Sequence, residues 1–167
     1  MTRTDTPPAW DERTQLTTFL TYVRATARAK CEGLSDEDAV KAILPGSPLM
    51  TVSGLISHLR WVEYQWFRIV FLGEPDEGPW TDKDPDREMR IAVDIPLSRL
   101  LAEYAEEAAR HDALVAAHDL DTRARRKRRD GSTVNLRWIL LHLIEETARH
   151  NGHLDILREQ IDGVTGD

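Results

Sequence analysis

The stretch "ETARHNGHLDILREQIDG", residues 146–163, decides how this chain is read. It is the second half of a segment running from about Thr133 to Ile161. Drawn at roughly 100° per residue, Leu136, Ile139, Leu140, Leu143, Thr147, Leu154 and Leu157 point one way, the signature of an amphipathic helix. Asp130-Gly131-Ser132 precedes it and Gly163 ends it, as start and stop signals should. His150 lies almost at the centre of the apolar arc. Glu146 lies toward one edge, and His153 slightly further round the same edge. Arg149, Glu145 and Asp155 point away. A long helix that turns an acid and imidazoles inward needs a reason for doing so.

Working outward, three more segments carry the same period, and none carries a strong alternating strand pattern. The first runs from about Trp10 to Glu32, with Leu16, Phe19, Leu20 and Val23 as its stripe, and Gly33 closes it. "SDEDAVKAIL" reads as a short helix capped by Ser35, with Asp38 at the reciprocal position. The second long helix runs from about Thr51 to Leu72, with Leu55, Leu59, Val62, Trp66 and Ile69 on one face and Gly73 as its stop. The third starts near Pro96, a good first-turn residue, and continues to about Asp119, with Leu97, Leu101, Tyr104, Ala108 and Val115 as its stripe. Residues 73–95 hold "GEPDEGPW" and "DKDPDREM" and have little periodicity. A loop of that length in a compact chain is often a lid or a binding loop. The pattern predicts an all-α protein: one antiparallel four-helix bundle spanning 1–167, with 73–95 as its long crossover.

Bulk properties narrow the function. With 167 residues, 41 % of them hydrophobic, the chain can build a real core. The formal net charge of -7 argues against general affinity for nucleic acid or anionic membrane. The single cysteine, Cys31, excludes an internal disulfide framework and fits a reducing compartment. Neither a signal peptide nor an apolar run of roughly 20 residues is present. These features predict a soluble cytoplasmic protein with no membrane or nucleic-acid partner.

Glu146 and His150 are four apart, so their side chains stack on one helical face. A carboxylate and an imidazole at that spacing can share a metal ion, and bundle interiors are where such sites are built. Two ligands from one helix rarely suffice. His58, in "LISHLRW", borders the apolar face of the second helix and is the candidate third, giving a His–Glu–His set of zinc type. The same spacing also suits a polar patch in which Glu146 and His150 simply bond each other. His111 falls on the third helix's stripe, as a ligand, a supporting donor or a general base, or as a histidine bonded to water or backbone. His142, four residues before Glu146 but pointing further from the core, is a supporting candidate. The run "RARRKRR", residues 123–129, offers Arg125 and Arg126 as a clamp for a carboxylate or polar cosubstrate, or is a solvated loop balanced by the acidic 74–88 segment. Trp61 points outward and, with Trp138, suits a dimer interface. Trp66 faces the core, and Trp80 is a loop anchor or a cover for ligand.

Together, "TVSGLISHLRWVEYQWF" and "NLRWILLHLIEETARHNGHLDILREQIDGVTG" resemble the DinB superfamily, closest to an actinobacterial branch, over essentially the whole chain. The resemblance implies a four-helix bundle, often a homodimer, with a divalent metal between helices. The superfamily's usual ligands are a histidine on the second helix and an H-x-x-x-H pair on the last. His58 and His150 match; Glu146 stands where a histidine is usual. That departure resembles mycothiol-dependent maleylpyruvate isomerase, whose zinc is held by two histidines and a glutamate. His153 has no fixed ligand role there and is read as substrate-facing or supporting. The implied cofactor is a divalent metal, zinc first and nickel, iron or manganese next, with mycothiol as the thiol cosubstrate. The implied activity is a thiol S-transferase in which a metal-bound thiolate attacks a small-molecule electrophile. A metal-dependent hydrolase and a non-catalytic metal- or small-molecule-binding bundle are the alternatives.

Overall fold

A computed structural model describes residues 11–128 and 130–166. The expectations that fall on residues 1–10 and on Arg129, including the start of the first helix at Trp10, lie outside the described residues. Among the described residues there are six α-helices and no strand: α1 (Glu12–Ala29), α2 (Asp36–Ala39), α3 (Val52–Tyr64), α4 (Arg87–Arg90), α5 (Leu97–Ala116) and α6 (Leu136–Asp162). The chain is an all-α bundle. The long helices α1 and α6 pair, α3 and α5 pair, and α3 packs on α6 to join the two pairs. No helix of the described residues is long and apolar enough to cross a membrane.

Local chemistry sets the helix ends. Asp11, Ser35, Thr51 and Asn135 each accept a hydrogen bond from a first-turn amide through the side chain, satisfying donors that have no partner inside the helix. α2 is shorter than the sequence suggests, and Asp38 accepts from the Ser35 hydroxyl (2.7 Å) rather than from its amide. α6 ends at Gly163, where φ is +76°, a left-handed conformation that glycine adopts without a side-chain penalty.

Two departures bear on the site. First, α3 continues from Gln65 to Phe71 as a π-helix. The wider turn changes the angular step, so Phe67 and Phe71 take the core positions, while Trp66 is only half-buried. Second, the crossover is not a structureless loop. Its second half folds into α4 and a 3₁₀ turn (Ile91–Asp94), both packed back on α3. Ser57 Oγ donates to the Glu88 carbonyl at 2.7 Å and fixes that return. Elsewhere Phe19, expected on the α1 stripe, is 47 % exposed.

The core has two apolar halves. One gathers Leu16, Leu20, Phe67, Phe71, Val115, Leu136, Ile139, Leu140 and Leu143. The other gathers Leu55, Ile56, Leu59, Leu97, Leu100, Leu154 and Leu157. A polar waist lies between them, because each long helix carries polar groups midway: Arg24 on α1, Glu63 on α3, His111 on α5, Thr147 and Asn151 on α6, all buried. Arg24 reaches Glu63 through two hydrogen bonds, of 2.8 and 2.6 Å. Tyr104 donates its hydroxyl to Glu63 at 2.9 Å. His111 Nδ1 stands 3.2 Å from Glu63, and its Nε2 approaches Glu107 at 3.2 Å, close but poorly aligned for a hydrogen bond. Asn151 donates to the Val23 carbonyl at 2.9 Å.

Candidate metal centre between α3 and α6

Glu146 and His150 project from successive turns of α6 toward α3, where His58 meets them. Glu146 Oε1 lies 3.2 Å from His150 Nε2 and 3.5 Å from His58 Nε2. Taking one ligating atom from each of the three residues, all three lie within 4.8 Å of one another. The two imidazole rings meet edge to face, their centroids 4.9 Å apart. All three groups are half-buried, unlike the buried groups of the waist.

The surroundings point the donor atoms inward. His58 Nδ1 donates to Glu88 Oε1 at 3.1 Å, which leaves Nε2 facing Glu146. A carboxylate on the far nitrogen of a histidine fixes the ring's orientation and makes the near nitrogen a better ligand. His150 Nδ1 sits 3.2 Å from His153 Nδ1, one ring donating and the other accepting. Burial works against the imidazolium of His58, but bonds to Glu88 and Glu146 outweigh it and raise its pKa. Burial, with the neighbouring His58 charge, lowers that of His150. Burial alone would raise Glu146, but the two histidines prevail and lower it.

The other candidates lie elsewhere. His142 stacks on Trp138, with centroids 5.1 Å apart, and meets Trp66 edge to face. Trp138 is thus engaged with Trp66 and His142 within the chain. His111 belongs to the waist, held by two carboxylates rather than by water or backbone. The Arg125 and Arg126 guanidiniums donate to the Leu72 and Glu74 carbonyls, and their amides to the Phe71 and Val70 carbonyls. They fasten the α5–α6 connection to the end of α3. Cys31 is buried and donates to the Ala27 carbonyl at 3.3 Å. Burial pushes its thiol up to about 12.

Sequence reasoning missed Glu88 and Glu63. Glu88 carried no signal, since it lies in a stretch without periodicity. Glu63 did carry one: it sits four residues after Leu59, on the stripe itself.

A profile of the mycothiol-S-transferase family matches residues 15–163. The chain belongs to that family. The match takes in all of α3 through α6, and so every residue of the His58–Glu146–His150 cluster. It also bears out, at the level of the family, the resemblance carried by the two segments around His58 and His150. No curated protein matches the chain.

Proposed function

We propose that this chain is a metal-dependent S-transferase that joins mycothiol to an electrophilic small molecule, with His58, Glu146 and His150 as ligands of a divalent cation. One observation carries the reading: three donors from two helices converge to within 4.8 Å. Their chemistry fits such an ion. Tetrahedral coordination with bonds of about 2.0–2.2 Å sets donor atoms roughly 3.4 Å apart, and the Glu146 oxygen stands 3.2 and 3.5 Å from the two imidazole nitrogens. Imidazole and carboxylate donors favour zinc, and three protein ligands leave a position for substrate.

A cation held there favours thiolate over thiol, whose ordinary pKa of about 8.5 leaves it mostly protonated at neutral pH. Glu88 holds the His58 ring with its Nε2 turned to the site. His153 does the same for His150 through the shared contact of their Nδ1 atoms. Glu146 adds one negative charge to two neutral imidazoles, so the site keeps net positive charge toward an incoming sulfur. In the transfer the thiol gives its proton to solvent, the sulfur pair forms the new S–C bond, and the leaving group departs with its own electron pair. No redox partner is required.

The test is elemental analysis of purified wild type and of His58→Ala, Glu146→Ala and His150→Ala, followed by mycothiol consumption with monochlorobimane. Near-stoichiometric metal in wild type, lost in the variants together with thiol consumption, is the expected result. Full metal occupancy in all three variants would reject the ligand set. A metal-loaded wild type that consumes no mycothiol would reject the transferase.

A further inference from the structure

We infer that the cleft between α3 and the crossover recognises the uncharged, polyhydroxylated part of the thiol cosubstrate and disfavours anionic thiols; this rests on the transferase reading above. The cleft has a volume of about 760 Å³. His58 lines it and also belongs to the triad, so a ligand lying in the cleft has the candidate centre at its end. On the α3 side its wall is Trp61 and Gln65; on the crossover side it is Trp80 with Asp76, Asp82 and Asp86.

The aromatic wall is built in place. Asp76 accepts from Trp80 Nε1 and from the Gly78 amide, both at 3.0 Å. A Cβ on Gly78 would stand 2.2 Å from the Trp80 ring, so only glycine lets the ring lie where it does. Trp61 meets Trp80 edge to face, with centroids 5.8 Å apart. A side chain locked before binding loses little entropy on binding. Sugar and cyclitol rings present C–H faces to such indoles and hydroxyls to carboxylates.

The charged groups of the polar wall are carboxylates, alongside the neutral Gln65 and Thr81. The Asp82 and Asp86 carboxylates are exposed and form no hydrogen bond or ion pair among the described residues, and no lysine or arginine lines the cleft. Ionised carboxylates accept strong hydrogen bonds from hydroxyl groups and repel anions. At the inner end Glu88, only 5 % exposed, lines the cleft while its Oε2 has no hydrogen-bond partner. A buried acceptor left open there is an independent sign of a missing donor, since buried polar atoms are ordinarily paired. Mycothiol carries its cysteine on an amino-sugar–inositol unit rich in hydroxyls and free of ionised groups, whereas glutathione carries two carboxylates. The cleft suits the first and opposes the second.

The experiment compares mycothiol with N-acetylcysteamine, a neutral thiol without hydroxyls, on the metal-loaded protein with monochlorobimane. Wild type is set beside Trp80→Ala, Gly78→Ala and the double variant Asp82→Asn/Asp86→Asn. The ratio of kcat/KM for mycothiol to that for N-acetylcysteamine falls about tenfold or more in each variant, the size expected for one lost aromatic face or one or two lost hydrogen bonds. In the double variant the relative rate with glutathione rises. An unchanged ratio, with both thiols affected equally or not at all, overturns the inference. Titration of tryptophan fluorescence with the thiol-free portion in its N-acetylated, uncharged form (N-acetylglucosaminyl-inositol) is independent of turnover. Saturable binding that Gly78→Ala abolishes supports the cleft even if the transferase reading fails; no binding to wild type overturns it.

Discussion

Replacing Glu63 by glutamine should remove a large part of this protein's stability without changing its shape. The side chain is 1 % exposed and accepts from Arg24 twice, from Tyr104 and from His111. Glutamine nearly preserves the volume and keeps one carbonyl oxygen, but it leaves the buried Arg24 guanidinium with the half-exposed Asp112, at 2.7 Å, as its one carboxylate partner, and it turns a donor toward other donors. Breaking a buried pair from one side typically costs about 3–5 kcal/mol. The proton equilibrium of Glu63 gives a similar figure. Burial opposes its charge, yet Arg24 and His111 hold it down to about 2 from an ordinary 4.5, which at about 1.4 kcal/mol per unit is about 3 kcal/mol. Set against a typical total of 5–15 kcal/mol, the loss is easily measured. Urea unfolding at pH 7, followed by circular dichroism, should show a midpoint far below wild type with an unchanged slope. In Arg24→Met, adding Glu63→Gln should cost much less, giving a coupling energy of about 2 kcal/mol or more. A loss below about 1 kcal/mol for Glu63→Gln, or additive single effects, would refute the account of the waist.

Three further outcomes follow from the same structure. Glu63 and Glu107 both titrate near 2 in the folded chain, so their contribution is whole above the ordinary 4.5 and is lost as pH falls toward 2. The pKa of His111 is raised, its neighbouring carboxylates outweighing burial, so its contribution is whole below the ordinary 6.5 and is lost as pH rises through the raised value. Stability should therefore peak between these limits, and a urea midpoint flat from pH 2 to pH 9 would contradict it. Cys31, buried with its thiol near 12, should resist an aromatic disulfide reagent at pH 8 until urea opens the fold; rapid labelling of the native protein would show that burial is misjudged. Glu88→Gln should weaken metal affinity about 10- to 100-fold, read by competition with a chromophoric chelator, and an unchanged affinity would mean that Glu88 does not orient His58.

The long helices were legible because each carries a repeating stripe, and the stops of two of them because Gly73 and Gly163 are chemically suited to end a helix; Ser35 marked the start of the short α2 in the same way. The π-helical end of α3 was not legible, since a 100° wheel assumes the very step that changes there; Trp66 was placed inward and Phe67 was overlooked for that reason. The convergence of Glu146 and His150 could be read from their spacing. The arrival of His58 beside them is a long-range fact; its place at the border of the second helix's apolar face made it a candidate, and the resemblance then matched it to a ligand position. Glu88 was beyond reach: what brings it to His58 is the crossover's return onto α3, and that depends on contacts such as Ser57 with the Glu88 backbone. The waist could have been found. Arg24 is four residues after Leu20 and Glu63 four after Leu59, charges lying on apolar stripes, where they have to find one another.

The division of the interior has a consequence for how the molecule tolerates change. Sliding one long helix past another by a single turn, about 5.4 Å, would press the Arg24 or Glu63 charge into leucine, so the helices can lock in only one alignment. That key uses none of His58, Glu146 and His150. Substituting any of those three can therefore alter the candidate centre while the rods stay in register, leaving a chain free to trade one chemistry for another on an unaltered frame.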